Sequence, residues 1–156
     1  MSIDSNEVRK AILHNVVLSE EYSQKVLPFL KAEYFSEKSE KVLVEEIMKY
    51  TQKYNTAPKY SALKIEIESR NDLNENVYNE IQDFLNTEVA PIPKIDYLVD
   101  KTEKWCQERA IVNAVYQAVN VIGGDEKNVQ MASLPDLLSD AISTSFDKSV
   151  GHDYVE

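Results

Sequence analysis

Glycine is nearly missing from this sequence. There are three in 156 residues, Gly123, Gly124 and Gly151, and all sit in loop-like stretches. A chain this poor in glycine and this rich in Glu, Lys, Leu and Ala leans towards helix. Cysteine is equally scarce: Cys106 stands alone, so no internal disulfide is possible and a reducing compartment is the natural home. Long apolar runs are missing too. No stretch approaches the roughly 20 apolar residues needed to span a bilayer. The start, Met1 to Glu7, has neither the basic flank nor the apolar run of a signal peptide. These absences predict a soluble, intracellular protein without membrane contact.

Positive charge is also short. Lys and Arg number 17 against 27 Asp and Glu, a net charge of −10. Nucleic-acid binding draws most of its affinity from cations that neutralise phosphates, and no Lys/Arg cluster offsets the acidic balance. Little direct grip on nucleic acid is expected. What the chain does have is a 43% hydrophobic content, enough for a real core in one domain.

Residue sets that carry chemistry are hard to find. No G-x-x-x-x-G-K-[ST] phosphate loop exists, and Gly123-Gly124 is followed by Asp125-Glu126, which repels phosphate. His14 and His152 lie far apart, neither with a Cys or His at metal spacing. His14 reads as a packed or surface residue, and Cys106, inside an expected helix, as a small packing residue. The adjacent acids Glu20-Glu21 and Glu45-Glu46 point apart on their helices and read as solvated charge, not an acid/base pair. No catalytic residue, cofactor site or metal site is expected in this chain.

Periodicity supplies the architecture. Asp4 and Glu7 have capping-box spacing ahead of Val8, Ala11, Ile12 and Val16. Ser19 opens a second helix that buries Tyr22, Val26 and Phe29, and Pro28 makes its end irregular. Tyr34-Phe35 forms an aromatic plug. Ser36 caps a longer helix with Leu43, Ile47, Tyr50 and Tyr54 on one face, stopped by Asn55-Thr56-Ala57-Pro58. In Ser61 to Ser69, Leu63, Ile65 and Ile67 alternate as a strand would, but no partner strand exists, so helix is expected. Asn74 starts an amphipathic helix with Val77, Ile81, Phe84 and Leu85.

Two prolines in Val89-Ala90-Pro91-Ile92-Pro93 make a stiff spacer. Beyond it one long helix runs from about Ile95 to Ile122, stopped by Gly123-Gly124. A last helix from Ser133 carries Leu134, Leu137, Leu138, Ala141, Ile142 and Phe146 on one side. The expected fold is all-α: a small helical lobe (1–88), a Pro linker (89–94) and a long antiparallel helical hairpin (95–146). Residues 147–156 read as the start of a further linker.

The segment Ala110 to Ile122 holds no charged residue; its polar side chains are Asn113, Gln117 and Asn120, on one narrow stripe. A helix apolar nearly all round must be covered on more than one side. The helix from Leu134 covers one side. The lobe folded back, or another copy of the chain, covers the other, and the Pro spacer favours the copy by holding the hairpin off the lobe. The candidate self-association residues are Trp105, Val112, Val115, Tyr116, Val119, Ile122, Leu138 and Ile142. Trp105 and Tyr116 are natural aromatic anchors, with core packing in the hairpin as their other role.

The arrangement resembles the N-terminal domain of the DnaB family of hexameric replicative helicases, in the version carried by tailed phages. The lobe carries the resemblance through Ala11-Ile12-Leu13, Tyr34-Phe35, Pro58 and Leu63. The hairpin carries it through Thr102 to Ala110, Pro135-Asp136-Leu137-Leu138, Ala141-Ile142-Ser143 and Ser145-Phe146-Asp147, and Val150 to Tyr154 is similar to the segment leading to the motor. The loop from Gly123 to Ser133 departs by being shorter. The resemblance implies a non-catalytic assembly domain whose hairpins pair between subunits as a collar on a hexamer, with primase and helicase loader as partners in DNA replication. It also implies that Glu156 falls just before an ATPase domain, which would hold ATP and Mg, and a location in the cytoplasm of the host. The competing expectation is a free-standing helical adaptor, such as a helicase loader or single-strand-DNA-binding accessory, which needs a nucleic-acid affinity that the charge opposes.

Overall fold

In the computed structural model, residues 6–123 and 134–143 are described. The expectations on Asp4, the loop 124–133, Phe146, His152 and the segment 147–156 fall outside them. All regular structure among the described residues is helical. The α-helices are α1 (Asn6–Leu18), α2 (Glu20–Val26), α3 (Lys38–Tyr54), α4 (Tyr60–Glu68), α5 (Glu75–Asn86), α6 (Ile95–Ile122) and α7 (Leu134–Ile142). Two 3-10 turns, Leu27–Phe29 and Ala32–Tyr34, join α2 to α3.

Local chemistry explains most boundaries. The Ser19 hydroxyl accepts from the Tyr22 N–H and starts α2, and the Asn74 side chain accepts from the Val77 N–H and starts α5. Glu20 and Glu21 sit in the first turn of α2, where the helix dipole favours negative charge. Pro28 lies in the tighter turn that follows α2. Ser36 is not the cap of α3: the helix begins one residue later, behind Glu37, with no side-chain cap. Asn55 ends α3 in the left-handed region (φ 62°), which asparagine tolerates better than most residues, and its N–H reaches the Thr51 carbonyl at 2.8 Å. Gly123 keeps a right-handed φ of −78° at the end of α6.

The ambiguous segment is helix α4. Leu63 and Ile67, four residues apart, are fully buried, while Ile65 between them is 65% exposed. A strand would have put all three on one face.

One core unites α1 to α5 with the first half of α6. It contains Ile12, Leu13, Val16, Tyr22, Phe35, Leu43, Ile47, Leu63, Ile67 and Ile81, and also Leu98, Trp105 and Cys106. This overturns the expectation that the Pro spacer holds the long helix off the lobe. The spacer turns the chain back instead: Ile92 packs against the core, and its N–H donates to the buried Asn15 side chain at 3.1 Å. Leu98, Thr102, Trp105, Cys106 and Arg109 then form the stripe of α6 that faces the lobe. Tyr22 Oη and Thr102 Oγ1 share a buried hydrogen bond of 2.5 Å.

Several polar groups that read as surface are interior. Glu46 is 2% exposed and pairs with Arg70 at 3.0 Å, so the pair Glu45-Glu46 is not simply solvated charge. Arg9 and Glu40 form a buried ion pair of 2.7 Å. Burial still holds the Glu40 carboxyl above its ordinary range, against the pull of Arg9.

Candidate self-association surface

Beyond Asn113, α6 leaves the lobe, and α7 packs along its outer half. Ala114 and Val121 on α6 and Ala141 on α7 are buried there. Leu137 and Asp140 line a small cavity with Ala110, Asn113, Ala114 and Gln117. Two of the three amides on the polar stripe, Asn113 and Gln117, are thus turned inward, and Asn113 donates to the Glu33 carbonyl at 2.8 Å. Apart from Asn120, exposed at the far end, the side of this section that meets solvent is the apolar one.

That side is nearly bare. Val115 is 47% exposed, Tyr116 67%, Val119 58% and Ile122 65%, and Ile142 on α7 is 69% exposed. Val112 and Leu138 are half-buried. Ile111, 38% exposed, continues the same face and was missed in the sequence. Its spacing was the available signal: Ile111, Val115, Val119 and Ile122 recur at helical intervals on one stripe. Singly exposed apolar residues are ordinary on protein surfaces, whereas a contiguous set on two packed helices marks an interaction site.

Trp105 does not belong to this face. It is 3% exposed, with its ring 4.8 Å from that of Phe35 and edge-on to Tyr34 at 6.3 Å. The aromatic plug expected at Tyr34-Phe35 is what covers it. Trp105 is therefore corrected from an interface anchor to a core residue of the lobe, which leaves Tyr116 as the exposed aromatic on this face.

The groups with reactive potential lie elsewhere. Cys106 is fully buried, and its thiol is pushed up to about 12 by burial, with the negative charge of Glu103 adding to the effect. It stays protonated and inert. His14 is packed, stacked on Phe84 at 3.9 Å with Nδ1 2.7 Å from Tyr60 Oη. Burial, aided by Lys10, lowers its pKa to about 4. Among the described residues, no group of three His, Cys, Asp or Glu is placed to hold a metal ion, and no helix is long and apolar enough to cross a membrane. What the arrangement offers chemically is an exposed apolar face on a helical section without charged residues, suited to protein contact.

No model of a known protein family matches the chain. It does align with one curated protein over 153 residues at 27% identity, covering 93% of the chain. The chain spans about a third of that relative, 32% of its length. The resemblance that the residues of the lobe and hairpin pointed to is therefore found along nearly the whole chain, which is similar to the DnaB-like replicative helicase of Enterobacteria phage T4.

Proposed function

We propose that this chain is the non-catalytic N-terminal domain of a hexameric replicative DNA helicase, and that it pairs with a second copy through the outer half of α6 and through α7. The observation that carries this reading is the exposed face Ile111, Val115, Tyr116, Val119, Ile122 and Ile142. In a chain of net charge −10, copies repel unless they meet through uncharged surface, and Ala110 to Ile122 holds no charge. Burying each large apolar side chain contributes roughly 1.5–3 kcal/mol before the costs of association. The likeness to a replicative helicase supports the wider setting: paired hairpins forming a collar, primase and helicase loader docking on that collar, and ATP and Mg held by a motor domain outside this chain.

Sedimentation over a concentration series tests the pairing. Dimers or larger rings that grow with concentration are expected. A strict monomer at high micromolar concentration removes the reading.

A further inference from the structure

The helix α6 is held by the lobe in two ways, and the second is polar. Leu98, Thr102, Trp105 and Cys106 anchor it by burial. Farther out, Arg109 Nε donates to the Tyr34 carbonyl at 2.7 Å, and one turn beyond, Asn113 Nδ2 donates to the Glu33 carbonyl at 2.8 Å. Arg109 Nη2 also reaches Asn113 Oδ1 at 3.5 Å. The bonds of the second 3-10 turn use the carbonyls of Lys31 and Ala32, so the next two carbonyls are the ones that α6 captures. A guanidinium at the carbonyl end of a turn meets favourable partial charge.

We infer that Arg109 and Asn113 are positioning residues: a brace that sets the direction in which the outer half of α6 leaves the lobe. A helix gripped over a short length swings freely at its far end, and one gripped over a longer length does not. At 1.5 Å per residue, the apolar anchors, which begin at Ile95 and end at Ala110, grip about 22 Å and leave about 18 Å projecting to Ile122. With the brace, the grip grows to about 27 Å and the projection shrinks to about 14 Å. For the same slack at the anchors, the swing at Ile122 falls roughly 1.6-fold. One turn farther out, Gln117 is half-buried beside the lobe residues Lys31, Glu33 and Tyr34, whereas Tyr116 is already 67% exposed, so the lobe's hold weakens just beyond the brace. That the braced section presents a face to a second copy rests on the proposed function; the brace itself is independent of it.

The test places nitroxide labels at Glu75→Cys on the lobe and Asn120→Cys on α6, with the buried Cys106 left in place. Electron–electron distances are read at a dilution where the chain is monomeric, so failure of the brace and failure of self-association are separate results. A narrow distance distribution is expected for the parent. Arg109→Met with Asn113→Leu, which remove the hydrogen-bonding groups and leave good helix formers in their place, should widen it, by up to about 1.6-fold in swing, with helical circular dichroism and Trp105 emission unchanged. An unchanged width in the folded double variant overturns the inference, as does a distribution already broad in the parent. If the double variant loses its Trp105 signal, Asn113→Leu alone decides: partial widening supports the brace, and none overturns it.

Discussion

The two halves of α6 are one continuous helix under opposite conditions. From Ile95 to Arg109 the helix has a charged wet side, with Asp96, Asp100, Lys101 and Lys104 exposed, and a narrow stripe that the lobe buries. From Ala110 to Ile122 it has no charge, and only Ala114 and Val121 are fully covered. The inner half is stabilised within the chain; the outer half exposes the apolar surface that the inner half hides. A helix therefore need not be more buried where it is more apolar. Burial depends on which neighbours reach it, and in this chain the lobe reaches as far as Asn113.

The sharpest way to break this contrast is to truncate a large residue of the inner half. Trp105→Ala should cost about 3–5 kcal/mol in urea unfolding followed by circular dichroism, because it leaves a cavity between Tyr34 and Phe35. A loss below 1 kcal/mol would mean that the inner half is not part of the core.

Acid should weaken the lobe through His14. Its pKa is lowered from the ordinary 6.5 to about 4, so the unfolded chain takes up the proton first as pH falls. The contribution is fully present above pH 6.5 and is lost between 6.5 and about 4, at no more than about 1.4 kcal/mol per pH unit. His14→Gln should remove that part of the slope in unfolding curves taken from pH 7 to 4. The outer half contributes nothing to this slope, since Ala110 to Ile122 holds no Asp, Glu, His, Lys or Arg.

A smaller effect sharpens the picture of how the inner half is held. Tyr22→Phe removes the hydrogen bond to Thr102, whose hydroxyl still donates to the Leu98 carbonyl. A loss of about 1 kcal/mol is expected in the same unfolding assay. The smallest change in stability belongs to the outer half: Val119→Glu, at a 58% exposed position, should alter monomer unfolding by no more than about 0.5 kcal/mol, and Val112→Glu, at a half-buried one, by somewhat more. The same variants should abolish concentration-dependent association in sedimentation. If both assemble normally, the pairing face lies elsewhere.

Much of the fold was legible because it depends on neighbours in sequence. The caps at Ser19 and Asn74, the limits of α6 and the face Val77, Ile81, Phe84 and Leu85 all follow from spacing and short-range hydrogen bonds. The segment at Leu63 to Ile67 was ambiguous because a short apolar alternation fits either period; packing against the core settled it as helix. The candidate face was legible in the same way, as a helix with more apolar surface than one partner covers. Its membership was not. Trp105 and Tyr116 are both aromatics on one helix, and nothing local distinguishes the one that Tyr34 and Phe35 cover from the one left bare.

The polar interior was hidden for a related reason. Glu46 and Arg109 are long charged residues, and such residues normally lie at the surface unless paired. Their partners, Arg70 and the Tyr34 carbonyl, are 24 and 75 positions away. By itself the sequence determined an all-helical chain, the boundaries of most helices and a charge-free stretch in need of cover, because helix period and capping act over a few residues. Only the tertiary structure decided that the spacer folds the long helix onto the lobe, that Trp105 is core, and where the lobe's hold on α6 ends. Those outcomes turn on contacts between residues far apart in the chain, and their energies appear only once the backbone has brought the partners together.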